Sequence, residues 1–468
     1  MGSLPDVRSA ISGTLSVLTF LVPAVQEFGE FTGHKAVHVP HEFQPPPGSR
    51  CIADRAQTSL RQRAERVELT HPRAEGAGED VLLQPIAIAD RRDPRAHRPR
   101  LRRRVNGQRV VRQFLAVPAA GRKLRRASAT LPLAEADRAL TGHRVRWFQE
   151  WIGNGPDQAY WSRMDHRANV GRMPPVVHLQ GGWYDFFLPG MLTDRAALLA
   201  AGRTVRLLIG PWGHGKGLYT RDGMRDALAA LDAALLGRRA LSGVRVFVTG
   251  ANRWQDLPGW PPAHEPTPWY LHPGDGLNRM HADPAAGPSR YRYDPAAPTP
   301  TVGGTTVSMS SGPADNRAIE ARPDVLTFTT APLAREVEVI GPVRVRLHAR
   351  ASIPHVDYVA RLCEVSPRGR SVNLCDGVAR LDPASDIPRD SDGVITVDIA
   401  LWPLAHRFRR GHRIRLQVSS GAHPRYGRNP GTGEPLATTL ALRASIHEIF
   451  HDPDHPSALW LPLTEETS

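Results

Sequence analysis

Three cysteines in 468 residues exclude a disulfide scaffold and a cysteine-rich zinc site. Cys51, Cys363 and Cys375 fit a reducing compartment. No run approaches the roughly 18 apolar residues of a membrane-spanning helix. There is no HExxH, no paired CxxC and no phosphate loop, so the sequence calls for no metal and no cofactor. Lysine is almost missing: Lys35, Lys123 and Lys216 stand against 57 arginines. The first 130 residues also lack tryptophan and tyrosine. All ten tryptophans and all eight tyrosines come later. What remains is ample for folding. A 41% hydrophobic and 23% charged chain of this length suits two or three domains.

The net charge of +14 is uneven. Residues 1–130 hold 22 Lys+Arg against 12 Asp+Glu, and the rest hold 38 against 34. Twelve basic residues and no acidic one lie between Arg95 and Arg126. Three readings compete for residues 1–130. A nucleic-acid-binding arm would use such arginines on phosphate, but no tryptophan or tyrosine interleaves with them to stack on bases. A disordered extension is the second. The third fits best: an aberrant, out-of-frame translation of GC-rich DNA, which yields Arg, Ala, Pro and Gly in bulk. The apolar stretch Ala10–Val25 resembles a signal-peptide core, yet Arg8 is offset by Asp6 and no small-x-small cleavage site follows. A cytoplasmic protein is therefore expected.

Regular patterning begins near Leu131. Residues 132–151 and 160–172 read as helical. Pro175–Gly181 and Thr204–Gly210 are short apolar runs closed by glycine, the mark of buried strands. Helices are expected over 189–202 and 222–238, the latter burying Met224, Ala227, Leu228, Leu231 and Leu235. Alternating strands and helices imply a parallel α/β arrangement over 131–241. From 242 to 468 the period changes to two, with strand-like runs at 244–249, 324–329, 336–340, 343–349, 356–364, 394–401, 414–418 and 441–447. Residues 273–323 read as long loops. This part is expected to be an all-β sandwich or jelly roll.

Two loops carry the chemistry. The first strand runs into Gly181-Gly-Trp-Tyr-Asp185, the second into Gly210-Pro-Trp-Gly-His214. Each places one titratable residue just beyond a buried parallel strand, where ligands and catalytic groups of open α/β sheets gather. A carboxylate orienting a histidine is the base half of a nucleophilic triad. Taken singly, Asp185 fits a helix N-cap and His214 an ordinary loop histidine. Taken together, at consecutive strand ends flanked by glycine and tryptophan, they are more specific. His451-Asp-Pro-Asp-His455 reads as a surface turn rather than a metal site, and Asn429–Gly433 as a structural loop.

Residues from about 130 to 466 resemble the CocE/NonD family of serine hydrolases, the cocaine esterase and X-Pro dipeptidyl-peptidase type. The resemblance rests on GGWYDFFLPG (181–190), LLIGPWGHG (207–215), VRVFVTGANRW (244–254), VDYVARLCEVSPRGRSVNLCDG (356–377) and RLQVSSGAHPRYGRNPGTGE (415–434). It implies an α/β-hydrolase core with a helical cap ending in 131–172, then a jelly-roll domain. It implies Asp185 and His214 as acid and base, and a small-molecule or peptide acyl substrate with no nucleic acid and no membrane. Cys363 and Cys375 then read as packing residues. The family's serine sits in a G-x-S-x-G elbow. This chain contains none: Ser12 lacks the preceding glycine and Ser289 the following one. The nucleophile is unassigned, and a non-catalytic β-sandwich that binds a ligand or partner is the alternative.

Overall fold

The computed structural model describes residues 122–463, apart from 156–158, 237–241, 307–310 and 386. Ala10–Val25, Ser12, Cys51 and the arginine run up to residue 121 lie outside the described residues.

Regular structure is already present ahead of the boundary at 130, in helix α1 (122–129). The helix expected over 132–151 is broken into a 3-10 turn Leu133–Glu135, α2 (Ala136–Thr141) and α3 (Arg146–Gly153). Gly142, at φ 88°, ends α2 in the left-handed region. Asp137 starts α3: its carboxylate accepts from the Val145 N–H at 2.7 Å and from Gln149 Nε2 at 2.8 Å. Ala127, Leu133, Ala136, Leu140 and Phe148 then close a small core that reaches Leu436. Residues 160–172, expected as one helix, form 3-10 turns at Trp161–Met164 and Arg167–Arg172. Asp165 accepts from the Arg167 N–H at 3.0 Å, a local bond that competes with helix.

Among the described residues, the α/β part holds a four-stranded sheet in the order β1 (Val176–Tyr184), β2 (Thr204–Gly213), β3 (Gly243–Val248), β4 (Arg253–Leu257). β1, β2 and β3 are parallel, and β4 is antiparallel to β3. Helix α4 (Leu188–Ala200) joins β1 to β2, and α5 (Arg221–Leu236) joins β2 to β3. Val177 and Val205 pack on Leu198 of α4. Their neighbours His178 and Arg206, pointing to the other face, meet Asp226 of α5 at 3.0 and 2.9 Å.

That clamp corrects the reading of α5. Gly223, Asp226 and Ala233 are buried, whereas Met224, Leu228 and Leu231 are 48%, 53% and 53% exposed. The larger apolar stripe faces outward because the acid must face His178 and Arg206.

Among the described residues the β-rich part has eleven strands: β5 (Glu265–His272), β6 (Gly276–Asn278), β7 (Ser289–Tyr293), β8 (Val325–Thr329), β9 (Val337–Ala351), β10 (Val356–Val365), β11 (Ser371–Leu381), β12 (Ile395–Phe408), β13 (Arg413–Ser419), β14 (Ser445–Ile449) and β15 (Ala458–Leu463). Their order is β11-β10-β13-β8-β6-β5-β15-β9-β14-β7, with β12 paired to β9. The one-turn helix α6 (Arg317–Glu320), β6 and β7 punctuate the stretch read as loop, and the last run starts as a strand at Ser445 rather than at 441. β9 is the spine: one edge pairs with β12, the other with β15 and then β14. Its alternate residues Val343, Val345, Leu347 and Ala349 are buried in a core shared with Tyr358, Leu362, Val397 and Ile399. Cys363 and Cys375 are unpaired buried thiols, the Cys363 thiol pushed up to about 12 by burial. Both pack.

The two parts meet at Thr249, which follows β3. Its N–H donates to Ala405 O at 3.0 Å and its carbonyl accepts from the Arg407 N–H at 2.8 Å. Ile340 and Ala405 join the apolar cluster of Trp183, Tyr184, Leu207 and Ile209. Among the described residues, no helix is long and apolar enough to cross a membrane.

Burial gives the β-rich part a pH dependence. His447 and His451 are held neutral, with folded values lowered from 6.5 to about 4. The unfolded imidazoles take up protons below about pH 6.5 that the folded ones refuse until about pH 4. Stability is therefore unaffected by these groups above pH 6.5 and falls as pH drops from 6.5 to 4, by up to ~3 kcal/mol per histidine. Denaturant titrations across that window are expected to show net proton uptake on unfolding; a flat profile would contradict the assignment.

Candidate active site

The register of β1 on β2 builds the site. Gly182 lies opposite Gly210 and Tyr184 opposite Gly213, with a bulge between. A Cβ on Gly182 would stand 1.9 Å from the Trp212 carbonyl oxygen, and one on Gly210 2.2 Å from the Trp212 ring. Only glycine admits this approach. The Trp212 indole N–H donates to Gly181 O at 2.8 Å, and that of Trp183 to Phe247 O at 2.7 Å. Two indoles thus pin the strand ends from opposite partners.

Both sequence-predicted residues are brought together. His214 Nδ1 lies 3.2 Å from each oxygen of Asp185. Asp185 is 6% exposed, and the His214 side chain is 46% exposed. Asp185 Oδ1 also accepts from the Phe187 N–H at 3.0 Å, which fixes the carboxylate. That bond is a local turn, for the cap position of α4 is Phe187 and carries no side-chain cap. The rings of Phe186 and Phe187 stand 4.7 and 5.1 Å from the imidazole. With Nδ1 donating to the buried acid, Nε2 is the nitrogen left to accept a proton.

Two further groups stand at the same strand end. Lys216 Nζ donates to Ser311 Oγ at 3.3 Å, and Ser311 lies against Gly213. Sequence reasoning missed Ser311 because it arrives from the β-rich part, with no motif around it. The scarcity of lysine was the available signal for Lys216. His451 and His455 do not meet in a metal site: His451 Nε2 bonds Ser289 Oγ, and His455 bonds Asp452 and Asp390. Among the described residues, no group of three metal-ligating side chains occurs.

Two family models match in tandem: the X-Pro dipeptidyl-peptidase (S15 family) over residues 42–216, and the X-Pro dipeptidyl-peptidase C-terminal non-catalytic domain over 238–459. Cocaine esterase of Rhodococcus sp. (strain MB1 Bresler) is 31% identical over 373 residues, covering 72% of this chain. The chain belongs to the CocE/NonD family of hydrolases. It spans 64% of the length of that esterase. A solved α-amino acid ester hydrolase matches this family member with a TM-score of 0.63 at 23% identity, over 72% of this chain and 64% of its own. A CocE/NonD family hydrolase from Staphylococcus aureus matches with 0.50 at 14% identity, over 70% and 61%. These two likenesses bear on fold, an α/β-hydrolase-like core with a β-rich C-terminal part. The S15 match reaches back to residue 42, into the segment that the sequence patterning sets apart.

The glycine contact yields a paired prediction. Gly182→Ala must displace backbone at the strand end, at an expected cost of about 3 kcal/mol, read as a Tm several degrees lower. Gly190→Ala, in α4 with nothing within 4 Å of the added Cβ, is expected to leave Tm unchanged or slightly raised. Equal Tm values for the two variants would contradict the close approach.

Proposed function

We propose that the chain is a hydrolase of acyl esters or amides in which Asp185 is the acid and His214 the general base. The observation that carries this is the Asp185–His214 pair, a buried carboxylate on the Nδ1 of a half-exposed imidazole at two adjacent parallel strand ends. In the triad route a serine attacks the acyl carbon while His214 Nε2 takes its proton. The imidazolium then protonates the leaving group, and water activated by the same nitrogen releases the acyl group. The substrate is a small-molecule or peptide acyl compound; nucleic acid and membrane have no part, and the location is the cytoplasm. Residues 131–241 are read as the partial hydrolase domain with the end of its cap, and 242–468 as a jelly roll.

The serine is the open point. No G-x-S-x-G occurs in the chain, and loss of a triad serine costs about 10⁶ in kcat. This favours a second reading, a non-catalytic β-sandwich that binds a ligand or partner. Fluorophosphonate labelling of the full chain with peptide mapping separates the two. A single serine adduct that disappears in His214→Ala supports the hydrolase and names its nucleophile. No adduct and no His214-dependent hydrolysis of p-nitrophenyl acetate, on folded protein, overturns it. In an active chain, Asp185→Asn is expected to lower kcat by about 10⁴ through the wrong imidazole tautomer.

A further inference from the structure

Arginine is this chain's habitual cation, yet a lysine, one of only three, stands two residues after His214. Gly215, at φ 68°, turns the chain there into the short 3-10 turn Lys216–Tyr219. Among the described residues, no carboxylate lies within ion-pair distance of Lys216; its partner is the neutral hydroxyl of Ser311 at 3.3 Å. An ammonium has three donors, so this bond leaves two unused. Ser311 Oγ accepts from Lys216, so its own proton is also free to donate.

Ser311 is held where it is. A Cβ on Gly213 would lie 2.3 Å from its Oγ, so the hydroxyl sits directly on the strand end that carries His214. Gly312, the next residue, exchanges two backbone bonds with Gly304, at 2.7 and 2.9 Å. Asn373 Oδ1 accepts from the Ala314 N–H at 2.8 Å. Beneath Gly304, Arg361 donates to Val302 O at 2.9 Å and to Thr301 Oγ1 at 2.6 Å. Arg361 and Arg425 both pair with the buried Asp376. Burial alone would raise the Asp376 carboxyl, and the two arginine charges overcome it and hold it below the usual range. The β-rich part therefore builds a rigid mount for one hydroxyl against Gly213, the residue before His214.

We propose that Lys216 and Ser311 form a carboxylate-binding subsite beside His214, so that the preferred substrates are acyl esters or amides carrying a carboxylate. One ammonium and one hydroxyl match the two oxygens of a single carboxylate; a phosphate dianion asks for more donors. Phe186 and Phe187 supply an apolar wall against the His214 ring. The β-rich part is then a contributor to recognition. The statement about substrates rests on the hydrolase reading, whereas binding does not require turnover.

The test is calorimetric titration of the full chain with benzoate and with benzamide, its neutral counterpart, at about pH 7 and low salt. Benzoate is expected to bind about tenfold more tightly. Lys216→Met should abolish that preference, and Ser311→Ala should weaken benzoate severalfold while sparing benzamide. In the unaltered chain the preference should shrink at high salt, which needs no variant to fold. Equal affinities, no saturable benzoate binding, or a preference that survives Lys216→Met overturns the proposal. A kept preference without any esterase activity would remove the hydrolase reading and leave the subsite. Esterase activity without a preference would do the reverse.

Discussion

Everything at the site depends on how closely two parallel strands approach at their C-terminal ends. Asp185 and His214 are 29 positions apart in sequence, and neither could find the other without the alignment of Gly182 on Gly210. A slip of one residue would carry the histidine about 3.3 Å along the strand and turn its side chain to the opposite face. The register is guarded by exclusion as well as by bonding. Trp212 fills the space that side chains at 182 and 210 would need, and its indole N–H is committed to Gly181 O. The glycines that close both apolar runs are thus requirements of one aromatic ring. The bulge before Tyr184 completes the arrangement by bringing the loops after both strands to the same level.

The rest of the protein uses one device twice. Asp226 is buried between His178 and Arg206, and Asp376 between Arg361 and Arg425. Each carboxyl is opposed by burial and rescued by its hydrogen-bonded partners, strongly enough that Asp226 falls to about 2. Such pairs add little net stability over apolar side chains of the same volume. Breaking one leaves an uncompensated charge worth about 3 to 5 kcal/mol. Their use is geometric. Asp226 ties α5 to the sheet that ends in the site, and Asp376 ties the segments around Gly304 and Gly312 to the position of Ser311. Both act as positional locks for elements that touch the imidazole or its neighbours.

Much of this was legible from the sequence, for identifiable reasons. β1 and β2 are apolar runs closed by glycine, so the strands and their C-terminal ends could be placed, and with them Asp185 and His214. The long β9 shows an uninterrupted two-residue alternation from Val343 to Ala349, which only a half-buried strand explains. Legibility failed where a polar side chain outweighed the apolar period. Asp137 restarts a helix that the pattern ran straight through, and Asp165 diverts another into 3-10 turns. Ser311 was out of reach for a different reason. Its placement depends on Arg361, Asn373 and Asp376, far along the chain, and on no local signal at all.

Helix α5 shows the competition in its clearest form. Rolled the other way it would bury Met224, Leu228 and Leu231, each worth about 1.5 to 3 kcal/mol when fully removed from water. All three are already about half covered, so the further gain is about 3 kcal/mol in total. The same rotation would take Asp226 out of reach of Arg206 and His178. The Arg206 guanidinium is itself buried on the sheet, and stranding it there costs about 3 to 5 kcal/mol, with the lost hydrogen bonds to Asp226 added. The polar clamp wins by a small margin. Gly223 and Ala233 fit the resulting interface because an acid reaching an arginine and a histidine brings the helix close to the strands, and larger side chains there would hold it off. Small residues inward and large ones outward are thus the consequence of a single buried carboxylate, and they set the helix that follows His214 firmly against the sheet that carries it.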